Sequence, residues 1–358
     1  MPHQTLRIID ANCNRMGEGL RFLEDIARFL LNDVDLTQQL KTMRHNLVES
    51  LSKFSVACLS ERNSKSDVGI NIELASQKQD LPALITANAK RVEEALRVIE
   101  ELAKLPDLSS GLRSKNFEQA RFNLYTLERE LSSKVLRRQK IARLTGLYVI
   151  IDTQTLGHRD EVDATSKAIH GGAKVIQLRN KHRNKGEFLT VAQKLKDLCC
   201  KSNVLFIIND HLDIALAVDA DGLHIGQKDL PLSVIRKELA IDKLVGLSTH
   251  TLDEAQKAET EGADYVAVGS IFSSPTKKDA KVVGLEHLSR VRQTISIPIV
   301  AIGGINKENI AEVISAGADA AAVISAVIAK ENIETATRQL VKEIEGKTKG
   351  HKEPGSHR

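Results

Sequence analysis

The residues of this chain that could do chemistry collect at the ends of short apolar runs. In the stretch from Val204 to Asp229, the run Val204–Ile208 breaks at Asn209 and Asp210. After a short amphipathic helix, the run Gly222–Ile225 ends at Gly226 and leads to Asp229. An apolar run bounded by polar residues and followed by helical text predicts a buried parallel strand. In parallel α/β sheets and barrels, chemistry gathers where strands give way to loops. Asp210 and Asp229 then share one mouth. Two carboxylates so placed suit a hard divalent cation such as Mg²⁺, which keeps coordination positions for substrate phosphates. The competing reading has Asp210 capping the next helix and Asp229 closing a turn before Pro231.

Other run ends supply a coherent set. Gln177, Arg179 and Lys181 alternate and so share a side. Asn209, Gln227 and Ser248 end further runs, and a long segment after Gly269 carries Ser274, Pro275, Thr276 and Lys277. His224, inside a run, reads as a structural histidine. Gly303-Gly304 and Ile324-Ser325 match the phosphate site that barrels build after their last two strands, from backbone N–H groups and a helix N-terminus. Arg179, Lys181 and Lys277 facing two acids suit a metal–pyrophosphate, whose oxyanion charge the metal and the cations divide. No nucleophile–base triad is visible.

The elements that must position these residues are eight apolar runs alternating with helices: LYVII, KVIQL, VLFII, GLHI, LVGLS, YVAVG, PIVAI and AAAVIS. Their number and rhythm predict an α/β fold, a (β/α)8 TIM barrel over residues 146–345. A doubly wound sheet is the alternative, disfavoured by the lack of a dinucleotide fingerprint.

Residues 1–133 predict an all-α N-terminal domain. Met16, Leu20, Leu23, Ala27 and Leu30 form one stripe. ANCNRMGEGLRFLEDIA (11–27) recurs as ANAKRVEEALRVIEELA (87–103), and Arg44-His45-Asn46-Leu47 recurs as Arg121-Phe122-Asn123-Leu124, so the domain is a duplicated helical unit. The repeated Arg15, Glu18, Arg21 and Glu24 are either surface i,i+3 pairs or part of a paired polar site. Gly17 and Gly19 are not a dinucleotide loop, because no strand precedes them. Arg62–Asp67 reads as a loop, the basic segment 134–145 as a linker, and 346–358 as a disordered tail.

Composition narrows the function classes. The chain is 42% hydrophobic, with 3% aromatics and no Trp, which argues against base-stacking nucleic-acid surfaces. A net charge of +4 on interspersed basic and acidic residues is a solvated surface. Four cysteines without zinc or CxxC spacing predict a reduced chain. With no signal-like start and no membrane-length apolar run, a soluble cytoplasmic protein is expected, with no nucleic-acid or membrane partner. The oligomeric state is not legible.

From Leu147 to about Ile344 the chain resembles the thiamine-phosphate synthase (thiamine-phosphate pyrophosphorylase) family. The motifs are QLRNK, IINDHLDIALAVDADGLHIGQKDLP, VGLSTHTLDEAQKAETEGADYVAVGSIFSSPTKKDA, PIVAIGGIN and AGADAAAVISAVI. The resemblance implies condensation of 4-amino-2-methyl-5-hydroxymethylpyrimidine diphosphate with a thiazole phosphate, releasing pyrophosphate. It implies Mg²⁺ on Asp210 and Asp229. It implies the pyrimidine diphosphate on Gln177, Arg179, Lys181, Asn209, Ser248 and Lys277, with Arg179 and Lys277 catalytic. The thiazole phosphate falls to Ser274, Pro275, Thr276, Gly304, Ile324 and Ser325. Asn180 stands where the family usually has Glu, and Ser274 where it has Thr. The N-terminal half resembles the helical domain fused to this synthase in some bacteria and linked to phosphorylation of the pyrimidine monophosphate; a structural role competes. A thiazole-phosphate tautomerase-like barrel and a phosphate-ligand sensor are the other functions weighed. Neither needs the set Asp210, Asp229, Arg179 and Lys277.

Overall fold

The computed structural model describes residues 3–61, 80–109, 111–181, 184–274 and 281–350. Two compact units divide the chain, Met1–Leu136 and Arg137–Arg358. The expected loop at Arg62–Asp67 lies outside the described residues, as do residues 351–358 of the expected disordered tail, whereas its first residues, 346–350, are helical and continue the last helix of the chain.

The first unit is helical: α1 (His3–Asp25), α2 (Val34–Leu51), α3 (Ser55–Glu61), α4 (Leu81–Leu102), α5 (Pro106–Ser109) and α6 (Ser114–Ile141). Asp33 starts α2 by accepting the Leu36 N–H at 3.0 Å, and Asp80 starts α4 by accepting that of Ala83 at 2.9 Å, each satisfying an orphan donor. The stripe Met16, Leu20, Leu23 and Ala27 is fully buried, as are Ile85, Ala89, Val92 and Leu96 on α4. These are the two copies of the repeat, and they cross closely at Gly19. A Cβ there would lie 3.1 Å from the Asn88 carbonyl oxygen.

The repeated polar residues are partly interior. Glu24 and Glu100, at matching positions, are both buried. Arg44 reaches Glu24 from α2 at 2.9 Å, and Arg121 reaches Glu100 from α6 at 3.4 Å. Arg21 and Arg97 add pairs at 3.4 Å and 2.7 Å. Each copy thus holds one buried carboxylate between two guanidiniums. That requirement, which surface i,i+3 pairing does not impose, explains why the polar text recurs: a buried charge left unpaired is costly.

In the second unit, eight parallel strands close into a barrel in chain order, as the sequence predicts. They are β1 (Gly146–Asp152), β2 (Val175–Arg179), β3 (Leu205–Asn209), β4 (Gly222–Ile225), β5 (Leu244–Thr249), β6 (Tyr265–Val268), β7 (Ile299–Ile302) and β8 (Ala320–Val323). The connecting helices are α7 (Thr153–Leu156), α8 (Glu161–His170), α9 (Lys185–Lys201), α10 (Leu212–Ala217), α11 (Leu232–Glu238), α12 (Leu252–Thr260), α13 (Gly284–Thr294) and α14 (Ile310–Ser315), followed by α15 (Ser325–Ile328) and α16 (Ile333–Gly350). Strand residues alternate between two cores, as a period of two requires. On β1, Leu147, Val149 and Ile151 pack outward against helices, while Tyr148 and Ile150 join an inner cluster with Val175, Leu205 and Ala322.

The end of the barrel where strands begin has its own code. Asp221, Asp264 and Asp319 immediately precede β4, β6 and β8. Each accepts a backbone N–H from the neighbouring strand: Phe206 at 3.0 Å, Val245 at 2.7 Å and Ile299 at 2.8 Å. The segment expected as a linker belongs here. From Arg137 on it is part of the barrel unit, helical through Ile141, and two of its basic residues meet acids at this end. Arg137 pairs with Asp264 at 2.8 Å and Lys140 with Asp242 at 2.7 Å, while Leu144 is fully buried in the inner core. Apolar periodicity fades over this segment because its partners are carboxylates.

Candidate active site

The opposite end of the barrel, where strands finish, encloses a cavity of about 590 Å³. Gln177 and Arg179 from β2, Asn209 from β3 and Ser248 from β5 line it, with Lys181 beyond β2. Ser274, Ile324 and Ser325 line the same cavity from the β6–β8 side. Gly304 lines an adjoining recess shared with Ser274, Ile324 and Ser325. Pro275, Thr276 and Lys277 lie outside the described residues.

Arg179 is held by a residue that sequence reasoning passed over. Asp152, at the end of β1 and 2% exposed, accepts from the Arg179 guanidinium at 2.6 Å. Its other oxygen accepts the Thr155 backbone N–H at 3.1 Å and the Thr155 hydroxyl at 2.6 Å, starting α7. Both oxygens are engaged, so the carboxylate fixes where the guanidinium points. The signal lay in LYVIID, where the run ends on an acid.

Asp210 and Asp229 come together. Asp210 takes a left-handed conformation, φ +64°, and its backbone N–H donates to the His224 carbonyl at 2.8 Å, which ties the β3 loop to β4. Partial desolvation, then the Asp229 charge and a hydrogen bond between the two carboxyl groups, hold the Asp210 carboxyl above its ordinary value; Arg179 and His211 pull it down. Asp210 is not the cap of α10, where His211 stands. Asp229 does close its turn, accepting the Gly226 N–H at 2.6 Å. Two like charges in contact and an all-oxygen donor set fit a hard cation that takes its remaining ligands from phosphate and water. Among the described residues, no cluster of three or more His, Cys, Asp and Glu side chains offers a fuller cage.

The end expected to take a phosphate is built from backbone. Gly303 and Gly304 have φ +102° and +66°, and a Cβ on either would run into the Ser270–Ser273 segment. Only glycine permits this turn beside Ile324 and Ser325, which begins α15. The pocket floor is polar: His224, expected to be structural, lines the cavity with Tyr148 and Tyr265.

Residues 147–327 match the family described as thiamine monophosphate synthase, and residues 7–130 match the ThiD2 family. A thiamine-phosphate synthase of Synechocystis sp. is 38% identical over 346 residues, covering 96% of this chain and 97% of that protein. One of Thermosynechococcus vestitus is 38% identical, covering 94% of each. The solved thiamine phosphate pyrophosphorylase of Pyrococcus furiosus is 40% identical with a TM-score of 0.54, covering 58% of this chain and 98% of its own. With its barrel matched from Leu147 to Val327 and relatives aligned along nearly its whole length, this chain belongs to the thiamine monophosphate synthase family.

Proposed function

We propose that residues 137–358 condense 4-amino-2-methyl-5-hydroxymethylpyrimidine diphosphate with a thiazole phosphate to give thiamine phosphate and pyrophosphate. One observation carries the reading. A single cavity is lined on one side by Gln177, Arg179, Asn209 and Ser248 and on the other by the glycine turn with Ser274 and Ser325. That is room for two substrates with their phosphates at opposite ends.

Arg179, Lys181 and Lys277 take the diphosphate oxygens, and Gln177, Asn209 and Ser248 orient the pyrimidine diphosphate. Asp210 and Asp229 would hold Mg²⁺, which when bound supplies positive charge to the diphosphate. As the C–O bond breaks, the bonding pair leaves with pyrophosphate, and Arg179 and Lys277 stabilise the growing negative charge. The pyrimidinylmethyl cation is stabilised by its own amino group. The thiazole nitrogen, held in place by its phosphate on Ser274, Thr276, Gly304 and Ser325, donates a pair to that carbon. No protein nucleophile takes part; positioning and electrostatics carry the rate.

The helical unit would phosphorylate the pyrimidine monophosphate and supply the barrel's substrate. Its match to the ThiD2 family alongside a synthase barrel supports this. Incubation of the full-length chain with both substrates and Mg²⁺ tests the main reading by chromatography of the product. Thiamine phosphate is expected; isomerised thiazole phosphate alone, or no turnover, overturns it. Replacing diphosphate by monophosphate plus ATP tests the second.

A further inference from the structure

Beneath the proposed pyrimidine subsite, four hydrogen bonds join two strands that are not neighbours in the barrel. Gln177 Nε2 lies 2.9 Å from the Tyr148 hydroxyl, which lies 3.3 Å from that of Tyr265. Tyr265 lies 3.2 Å from His224 Nδ1, and His224 Nε2 lies 2.9 Å from Ser248 Oγ. The His224 and Tyr265 rings stack at 5.6 Å. All five residues line the cavity, and Tyr148, Tyr265, Gln177 and His224 are at least 93% buried. The path crosses the barrel interior from β2 through β1, β6 and β4 to β5.

The sequence makes room for this path. Tyr265 pairs in register with Gly246, and a Cβ at Gly246 would run into the Tyr265 ring. A glycine inside a strand marks such a close approach. Burial holds both tyrosine hydroxyls protonated well above their ordinary range.

Each tyrosine has one proton to give, so the path has a direction. Gln177 donates an N–H to Tyr148, which commits the Tyr148 proton to Tyr265 and the Tyr265 proton to His224 Nδ1. His224 then carries its proton on Nε2 and donates to Ser248, whose own proton is left for the cavity. Turning the Gln177 amide over reverses every link together. We propose that Tyr148, Tyr265 and His224 are positioning residues that couple Gln177 to Ser248, so that the cavity offers an acceptor at Gln177 and a donor at Ser248 as one state. An aminopyrimidine carries both an N–H donor and ring-nitrogen acceptors, and so distinguishes this state from its reverse. The proposal rests on the functional reading above for the ligand's identity.

The test is a double-mutant cycle on the affinity and kcat/KM for the pyrimidine diphosphate. Gln177→Ala, Ser248→Ala and their combination are compared in wild-type and Tyr265→Phe backgrounds. Tyr265→Phe alone should lower kcat/KM for the pyrimidine diphosphate roughly tenfold, as expected for breaking one link of a buried network. The KM for thiazole phosphate should stay within about twofold, since that ligand's subsite lies outside the path. The Gln177–Ser248 coupling should be several-fold in wild type and vanish in Tyr265→Phe. A merely structural role for Tyr265 would lower stability and leave the coupling unchanged. Tyr148→Phe cuts the adjacent link and gives the same test should Tyr265→Phe not fold. Equal coupling in all backgrounds overturns the relay while leaving the synthase reading intact. A wild type that binds no pyrimidine diphosphate overturns both.

Discussion

Asp152 is where a small change should have a large and separable effect. Its carboxylate starts α7 through Thr155 and anchors Arg179, whose side chain is only 16% exposed. Removing the cap costs about 1 kcal/mol. Removing the charge-assisted partner of Arg179 costs about 1.5–3 kcal/mol more. Asp152→Ala should therefore destabilise the barrel by about 2.5–4 kcal/mol, a fall in Tm of about 5–16 °C for a unit of this size. Asp152→Asn keeps the cap and loses only the charge, so its Tm should fall less. Both variants free the guanidinium, and a catalytic group displaced by about 1 Å can lose on the order of 100-fold. Steady-state kinetics with each substrate varied in turn should show kcat/KM for the pyrimidine diphosphate falling roughly 10- to 100-fold in both variants. The KM for thiazole phosphate should barely move. Wild-type kinetics in Asp152→Asn would refute the idea that this carboxylate orients Arg179.

Three further outcomes are expected. A chain starting at Arg137 should fold and condense the two substrates, whereas one starting at Leu147 loses Lys140 and Leu144 and should melt lower or precipitate; equal melting curves would contradict the role given to the end of α6. Asp210→Asn and Asp229→Asn should each raise the Tm in EDTA at pH 7 by relieving the repulsion that lifts Asp210, yet abolish any rise in Tm on adding Mg²⁺; a rise like that of wild type would remove these residues as ligands. In the helical unit, burial and the neighbouring Glu128 carboxylate push Glu93 up to about 7, against Lys90 and Arg121. A raised acid pKa contributes stability that is complete below the unfolded value and lost as pH rises through the folded one. Hydrogen exchange of α4 in the full-length protein should therefore speed up between about pH 4.5 and 7 beyond its intrinsic rate, and Glu93→Gln should flatten that trend. A flat wild-type profile would contradict it.

What was legible in the sequence was whatever repeats. Strands buried on both faces read as apolar runs, so all eight appear in the text within a residue or two of their bounds. The mouth residues were legible because they follow those runs. The inner pocket was not. Tyr148, His224 and Tyr265 sit inside runs, where a hydroxyl or imidazole looks like an interruption; only barrel closure brings their polar atoms together. Asp152 was passed over because an acid ending the first strand resembles any strand end. The helical character of Arg137 and Lys140, in the segment read as a linker, was not legible because charge complementarity to Asp264 and Asp242, far along the chain, leaves no local period. For Glu24 and Glu100 the text left surface pairs and a polar site both open, because the Arg partners that bury them come from another helix.

The central claim is that cations at the mouth stabilise a departing pyrophosphate. Rapid-quench single turnovers measuring pyrophosphate and thiamine phosphate together test it most directly. Wild type should release one pyrophosphate per thiamine phosphate. Arg179→Ala and Asp210→Ala should slow both products equally while thiazole phosphate still binds with an affinity near that of wild type. Unaltered pyrophosphate release in either variant would contradict the account.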